Sequence, residues 1–192
     1  MKKLFIIAAL ALGSFAANAQ TTWKVDNSHS KLGFSITHLK ISEVDGVFRT
    51  YDGSVVTTKD DFDGATVNFS VDPKTINTES EARDKHLQQA EFFDSEKNGK
   101  IEFKGTSFKK VSEKKYALKG NLTIKGVTKP VTFDVTFNGV AKDPWGNTKA
   151  GFKFSGNIKR TDFNIGEPST LIISEEVAIA GGIELQKVEK KN

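Results

Sequence analysis

The sequence contains no cysteine. That excludes disulfides, a thiolate nucleophile, a thiolate metal centre and a lipid anchor attached through a thiol. The one methionine is Met1, and histidine occurs only at His29, His38 and His86. No apolar run approaches the ~20 residues a membrane-spanning helix needs. The phosphate-loop pattern G-x-x-x-x-G-K and the dinucleotide pattern G-x-G-x-x-G are both missing. Long basic runs are missing too. Setting aside Lys2 and Lys3 from 28 basic residues leaves 26 against 24 acidic ones, interspersed along the chain. So weak and scattered a positive balance gives no reason to expect nucleic acid as a partner. Stability must come from packing alone.

What is present begins with an export pattern. Lys2 and Lys3 precede the apolar run Leu4 to Leu12, and Ala17-Asn18-Ala19 places small residues before Gln20. This is the three-part arrangement of a secretory signal. Residues 1–19 are therefore expected to be a cleaved signal peptide, residues 20–192 a single domain, and the location periplasmic.

Past Gln20 the dominant period is two. Leu32, Phe34 and Ile36 alternate with small or polar residues, as do Ala65, Val67, Phe69 and Val71. Ile101 and Phe103 follow, then Tyr116, Leu118, Leu122 and Ile124. Val131, Phe133, Val135 and Phe137 alternate without error, then Phe152, Phe154 and Ile158, and finally Val177, Ile179, Ile183 and Leu185. Strands apolar on one face and polar on the other predict an all-β, antiparallel domain of roughly eight strands. Turn residues separate the runs at Tyr51-Asp52-Gly53, Asp63-Gly64, Lys125 to Pro130 and Asp143 to Asn147. Pro130 is expected at the first residue of its strand, where a missing N–H is tolerated.

One segment breaks the period. Thr78 and Glu81 form a capping-box pattern, and Ala82, His86, Ala90 and Phe93 recur at helical spacing. Glu79–Arg83 and Glu81–Lys85 are opposite charges four apart. One short helix is expected over about residues 78–93.

Eight one-sided strands can hide their apolar face by packing as two sheets or by closing into a barrel, and closure also removes exposed edges. Such a barrel is just wide enough to be filled with side chains or to hold one small ligand. Thirteen phenylalanines remain once Phe5 and Phe15 are set aside, and Gly105, Gly120, Gly156 and Gly181 fall at inward positions. Flat rings beside missing side chains can leave a channel; rings can equally fill a solid core while glycines mark bulges. The pattern leaves both open. Outward positions carry Lys, Asp, Glu and Thr, so a lipid-facing barrel inserted in a membrane is not expected.

Five stretches carry a resemblance. They are Trp23-Lys24-Val25-Asp26-Asn27-Ser28-His29-Ser30 with Leu32, Phe34 and His38; Val44-Asp45-Gly46-Val47-Phe48 with Asp52-Gly53; Arg83-Asp84-Lys85-His86-Leu87 with Phe92-Phe93-Asp94; Gly120 to Val131; and Arg160-Thr161-Asp162-Phe163-Asn164-Ile165. As a set, in this order, they resemble the YceI family of exported, lipocalin-like lipid-binding proteins. Two departures stand out. Glu96 to Lys100 lacks the proline usual before the strand at Ile101, and Asn164 stands where glycine is commoner.

The resemblance implies an extended eight-stranded antiparallel lipocalin-like barrel around a long apolar interior. It also implies a cargo such as a polyprenyl phosphate or pyrophosphate, an isoprenoid quinone or a similar amphiphile. No cofactor is expected beyond that bound lipid. Candidate liners are Phe34, Ile36, Phe48, Phe69, Phe103, Leu122, Phe133, Phe137, Phe154 and Ile179. His38, Arg83, His86 and Arg160 are candidates for the head group, and Arg160 is the first candidate for a buried cation near the ligand. Arg83 and Asp84 could instead tie the helix to the barrel by hydrogen bonds.

No metal site is expected: His29 and His38 are nine apart, an odd step that puts them on opposite faces of a regular strand. Ser28-His29-Ser30 is not read as part of a catalytic triad, since adjacent strand residues point apart and nothing places a carboxylate behind His29. The expectation is a binding protein rather than an enzyme. An enzyme acting on an apolar substrate and a solid-core interaction module are the alternatives. Monomer and homodimer are both open.

Overall fold

The computed structural model describes residues 20–189. The export pattern in residues 1–19 lies outside them. Eleven strand segments and one helix follow in the order β1 (Thr21–Val25), β2 (Lys31–His38), β3 (Ser42–Phe48), β4 (Tyr51–Thr57), β5 (Thr66–Val71), β6 (Ile76–Asn77), α1 (Glu81–Leu87), β7 (Ile101–Lys110), β8 (Lys115–Ile124), β9 (Val127–Lys142), β10 (Thr148–Lys159) and β11 (Ile173–Lys187).

All pairings are antiparallel, and the ring closes where β1 meets β11. The ring runs β1-β4-β5-β7-β8-β9-β10-β11, an eight-stranded barrel. The three remaining segments extend it. The C-terminal part of β11 pairs with β1 through Leu185 to Lys187, and its N-terminal part pairs with β2 through Ile173 to Gly182. Two short segments thus share one side of a long strand. A single 3₁₀ turn, Asn27–His29, makes the offset between them. In the same way β3 pairs with β2 and β6 with β3, raising the wall on that side.

The turn expected at Tyr51-Asp52-Gly53 is strand: β4 begins at Tyr51, and the chain reverses just before it. Asp52-Gly53 carries turn propensity, but burial of Tyr51 and pairing of β4 with β1 and β5 outweigh it. β9 likewise starts at Val127, so Pro130 is its fourth residue. Residues 127–133 of β9 pair only with β8, because the β10 ladder starts at Asp134. An edge without a partner tolerates a missing N–H.

The helix is shorter than the spacing predicts. Glu79 has φ 60°, in the left-handed region, so the helix cannot run back through it. Helix α1 spans seven residues with Ser80 at its N-cap, and Thr78 lies outside it. Glu81 pairs with Lys85 at 2.6 Å as expected. Arg83 turns instead to Thr78. Beyond Leu87 the chain continues as turns, with the Phe93 N–H donating to the Leu87 carbonyl.

Candidate functional site: a half-filled barrel

The lower end of the barrel is closed by rings. Strand ends and the 58–65, 111–114 and 143–147 connections meet there. Phe62, from the β4–β5 connection, is turned inward with φ 61° and is only 1% exposed. Its ring centroid lies 5.2 Å from Trp23, 5.4 Å from Phe137 and 5.1 Å from Phe152. Phe108 stacks on Tyr116 at 4.8 Å, and the Tyr116 hydroxyl donates to the Asp61 carbonyl, holding the plug loop in place. Aromatic pairs in such tilted and edge-on geometries add ~0.5–1.5 kcal/mol each beyond area burial.

Above the plug the barrel is hollow. A cavity of about 580 Å³ is lined almost entirely by apolar side chains, with Phe108, Phe152, Ile183 and Leu185 toward its floor. Its walls stay open because rings lie against glycines instead of crossing the lumen. Phe34 is paired with Gly46, Phe69 with Gly53 and Phe154 with Gly181. A Cβ on those glycines would come within 2.2, 2.6 and 2.6 Å of the respective ring carbons. Phe103 covers Gly120 and Phe133 covers Gly156 in the same way, at 2.3 and 2.7 Å. Each missing side chain is a recess in the wall that one ring fills.

Nine of the ten candidate liners, Phe34, Ile36, Phe48, Phe69, Phe103, Leu122, Phe133, Phe154 and Ile179, border this cavity. Phe137 does not; its ring belongs to the plug, 5.1 Å from Phe152 and 5.4 Å from Phe62. Alternation correctly turned Phe137 inward, but it could not say how far down the axis the residue sits.

The upper end is the mouth. The β2–β3 turn, the 160–172 segment and α1 with the residues after it surround it. Leu87, Phe92 and Phe93 border the cavity from the helix side, and Phe93 meets Phe48 edge-on at 5.9 Å. Gly166 N–H donates to the Glu91 carbonyl at 2.7 Å, joining two of the mouth segments.

His38, Arg83, His86 and Arg160 all border the cavity, but they differ in what they have to offer. Arg160 is 2% exposed and its guanidinium is fully engaged. Nε donates to Ser174 O at 2.8 Å, Nη1 to Ile165 O and Glu167 O at 3.0 and 2.6 Å, and Nη2 to Ser169 O and Ile173 O at 2.8 and 3.3 Å. A guanidinium has five N–H groups, and all five point at backbone carbonyls. Arg160 is a clasp that folds the 160–174 segment around itself, with no donor left for a head group. Burial pushes its pKa down from the usual arginine value. Asn164, in this segment, has φ 55° and ψ 40°. Asparagine tolerates that left-handed conformation, so it replaces the commoner glycine without distorting the chain.

Arg83 donates from Nε and Nη2 to Thr78 Oγ1 and O, at 2.7 and 2.6 Å, and Asp84 accepts from Thr78 N–H and Oγ1. The pair ties the helix to the end of β6, and among the described residues Arg83 Nη1 has no protein partner. His86 Nε2 lies 3.0 Å from Glu91 Oε1 and its ring is edge-on to Phe92 at 4.9 Å. No hydrogen bond within the described residues engages the His38 ring.

His29 lies apart from the cavity, in the offset between β1 and β2. The Asp26 carboxylate stands 3.1 Å from His29 Nδ1, contrary to the expectation that none would lie behind it. The segment is a 3₁₀ turn and not a strand, so Asp26, Ser28 and His29 converge. Yet Ser28 Oγ approaches the same Nδ1, at 3.0 Å, and donates to Asp26. A triad needs the acid and the nucleophile on opposite ring nitrogens. Glu184 Oε1 is 3.7 Å from the same ring, but Lys149 Nζ sits 2.5 Å from Asp26 and 3.4 Å from Glu184. An ammonium thus already takes up the negative charge that these acids would offer to a metal. Lys149, with Ser28 and His29, holds the Asp26 carboxyl well below the usual carboxylate range. The cluster fastens the offset that lets two segments share β11.

Sequence reasoning missed Phe62, Trp23 and the recesses at Gly46 and Gly53. Phe62 sits in a polar loop, Lys59-Asp60-Asp61-Phe62-Asp63, and a lone aromatic among acids was its only signal.

Residues 23–185 match the model of the YceI-like domain. A UPF0312 protein of Serratia proteamaculans is 39% identical over 164 residues, covering 84% of this chain and 85% of that one. The crystal structure of the Campylobacter jejuni YceI protein is 32% identical and superposes with a TM-score of 0.67 over 86% of this chain and 96% of that one. A polyisoprenoid-binding domain from Saccharophagus degradans, 11% identical, shares the fold with a TM-score of 0.65 over 86% of this chain and 98% of that one.

Proposed function

The chain belongs to the YceI-like domain family, and from that premise we propose that it holds one long apolar chain of isoprenoid type in its barrel. We further place it in the periplasm, as an exported carrier or store of that lipid. The observation that carries this reading is the apolar cavity of about 580 Å³ above the plug. Binding pockets for small molecules typically span ~300–1,000 Å³. Each buried methylene contributes ~0.8 kcal/mol, so a five-carbon isoprene unit contributes about 4 kcal/mol. Two such units reach the scale of a micromolar dissociation constant before ordering costs are subtracted. Affinity thus needs no charged anchor. Polar groups choose the head and fix which end enters first.

Among the described residues that border the cavity, Arg83 Nη1 and the His38 ring have donors without a protein partner. Arg160, saturated by carbonyls, shapes the mouth without addressing the cargo. Of the described residues that border the cavity, only His38, Tyr51, Thr78, Arg83, His86 and Arg160 are polar, and none is a carboxylate or a serine. That composition favours binding over hydrolysis. The neighbouring polyisoprenoid-binding domain lends the cargo class its plausibility.

The test is extraction. Protein purified from its own host, denatured and analysed by mass spectrometry, should release a stoichiometric long-chain prenyl species. Recovery of none, together with no uptake of added geranylgeraniol or ubiquinone, would sink the reading. Chemical turnover of an added prenyl lipid would move the protein to the enzymes.

A further inference from the structure

The open end of the barrel bears apolar side chains that the fold itself does not bury. Ile41 is 84% exposed, Leu171 75%, Ile172 62% and Leu39 50%. They come from two loops far apart in sequence. The loops touch: Leu39 N–H donates to the Ile172 carbonyl at 2.7 Å. Ile172 also borders the cavity, as do its neighbour Ile173 and, on the other loop, His38. The exposed rim and the apolar interior are therefore one continuous surface.

The conformation of the β2–β3 tip is unusual for its residues. Leu39 and Lys40 have φ 51° and 62°. Tight hairpin turns normally fill those left-handed positions with Asn-Gly, because a branched or long side chain there crowds its own backbone. Folding alone would favour Asn-Gly. Residues kept in such conformations concentrate at functional sites. Charge adds a further constraint. The two tips, residues 39–41 and 168–172, contain a single charged side chain, Lys40, and it is a cation. At the closed end, Val111, Val140 and Trp145 are exposed as well, but none of them borders the barrel cavity.

We propose that this rim docks on the surface of a phospholipid bilayer. Leu39, Ile41, Leu171 and Ile172 enter the interfacial layer and Lys40 meets headgroup phosphates. The mouth then opens directly onto the membrane, and an apolar chain passes between bilayer and barrel without crossing water. Exposed apolar side chains around a cation are the composition of shallow interfacial anchors. The purpose of this contact rests on the cargo reading; the contact itself does not.

The experiment uses protein starting at Gln20, so that residues 4–12 cannot themselves bind membrane. Flotation with phosphatidylcholine vesicles, with and without phosphatidylglycerol, reads partition. The wild type should float, more strongly with the anionic lipid. Ile41→Glu and Leu171→Glu should each lower partition about tenfold or more, the scale of one large apolar side chain left unburied. Trp145→Glu, at the closed end, should leave it unchanged. Both rim variants should bind geranylgeraniol in solution as the wild type does, yet take it up from vesicles more slowly. Absence of vesicle binding by the wild type overturns the proposal, as does unchanged partition in both rim variants. A solution dimer that Ile41→Glu dissolves, with no vesicle binding, also overturns it by assigning the rim to a second copy. Should the wild type float while binding no prenyl alcohol, docking stands and the cargo reading falls.

Discussion

The Phe34 ring occupies the space in which a side chain on Gly46 would begin, its Cζ only 2.2 Å from where the Cβ would stand. The two residues face each other across β2 and β3. All the close atoms belong to the movable ring and none to backbone. Gly46→Ala should therefore leave the strands paired and drive the ring into the lumen. Overpacking of this kind destabilises by ~1–3 kcal/mol, and it should weaken binding of a prenyl chain. Adding Phe34→Leu should restore much of both. Urea melts and a quenching titration with geranylgeraniol measure the two effects. Unaltered binding in Gly46→Ala would show that the ring does not border the occupied space.

The depth of the cavity should answer to Phe62. Its ring supports Phe152, which forms part of the floor. Phe62→Ala should destabilise the barrel by about 3–5 kcal/mol, as ring deletions in cores do. The cavity should deepen at the same time. With a series of straight-chain alcohols, affinity should rise until the chain reaches the floor and then level off. That plateau should shift to longer chains in the variant, and by less in the milder Phe62→Leu. A plateau at the same length in all three proteins would place the floor elsewhere.

Arg160 should behave as a structural residue. Replacing it by Met strands five carbonyls that it now satisfies. Losing a buried, hydrogen-bonded ion of this kind removes ~3–5 kcal/mol. Amide exchange should accelerate over residues 164–173, and prenyl alcohol and prenyl phosphate should lose affinity equally. A loss confined to the phosphate would restore Arg160 as a head-group ligand. Arg83→Met is the contrasting variant: it also loses the two bonds to Thr78, but its loss of affinity should fall on the phosphate and spare the alcohol.

Acid should loosen the offset between β1 and β2. Lys149 foremost, then Ser28 and His29, hold the Asp26 carboxyl well below its unfolded pKa of ~3.9. A carboxyl depressed in the folded state stabilises the fold above the unfolded pKa, and that contribution fades as pH falls through the window below about 4. Asp26→Asn should be less stable than the wild type at neutral pH, and the gap should close in strong acid. A gap independent of pH would mean that the carboxylate is not what binds β1 to β2. Denaturant midpoints across the acid range provide the check.

Period-two alternation was enough to turn Phe34, Phe69, Phe103 and Phe154 to one apolar face and to call for antiparallel pairing, because strand geometry sends successive side chains to opposite faces; closure into a barrel was what the family resemblance implied. The same regularity is silent about position along the axis. Phe137 and Phe133 are equivalent in pattern, yet one plugs the base and the other borders the cavity. Phe62 comes from a loop with no period at all. Its role exists only because the β4–β5 connection folds back under the barrel. Arg160 read as a buried cation beside the ligand until five carbonyls of its own 160–174 segment closed around the guanidinium. Local sequence determined which way each wall residue faces. Which residues meet across the lumen, and whether the middle stays empty, was decided by register and by chain reversals, since those contacts join segments whose spacing in sequence carries no trace of their nearness in space.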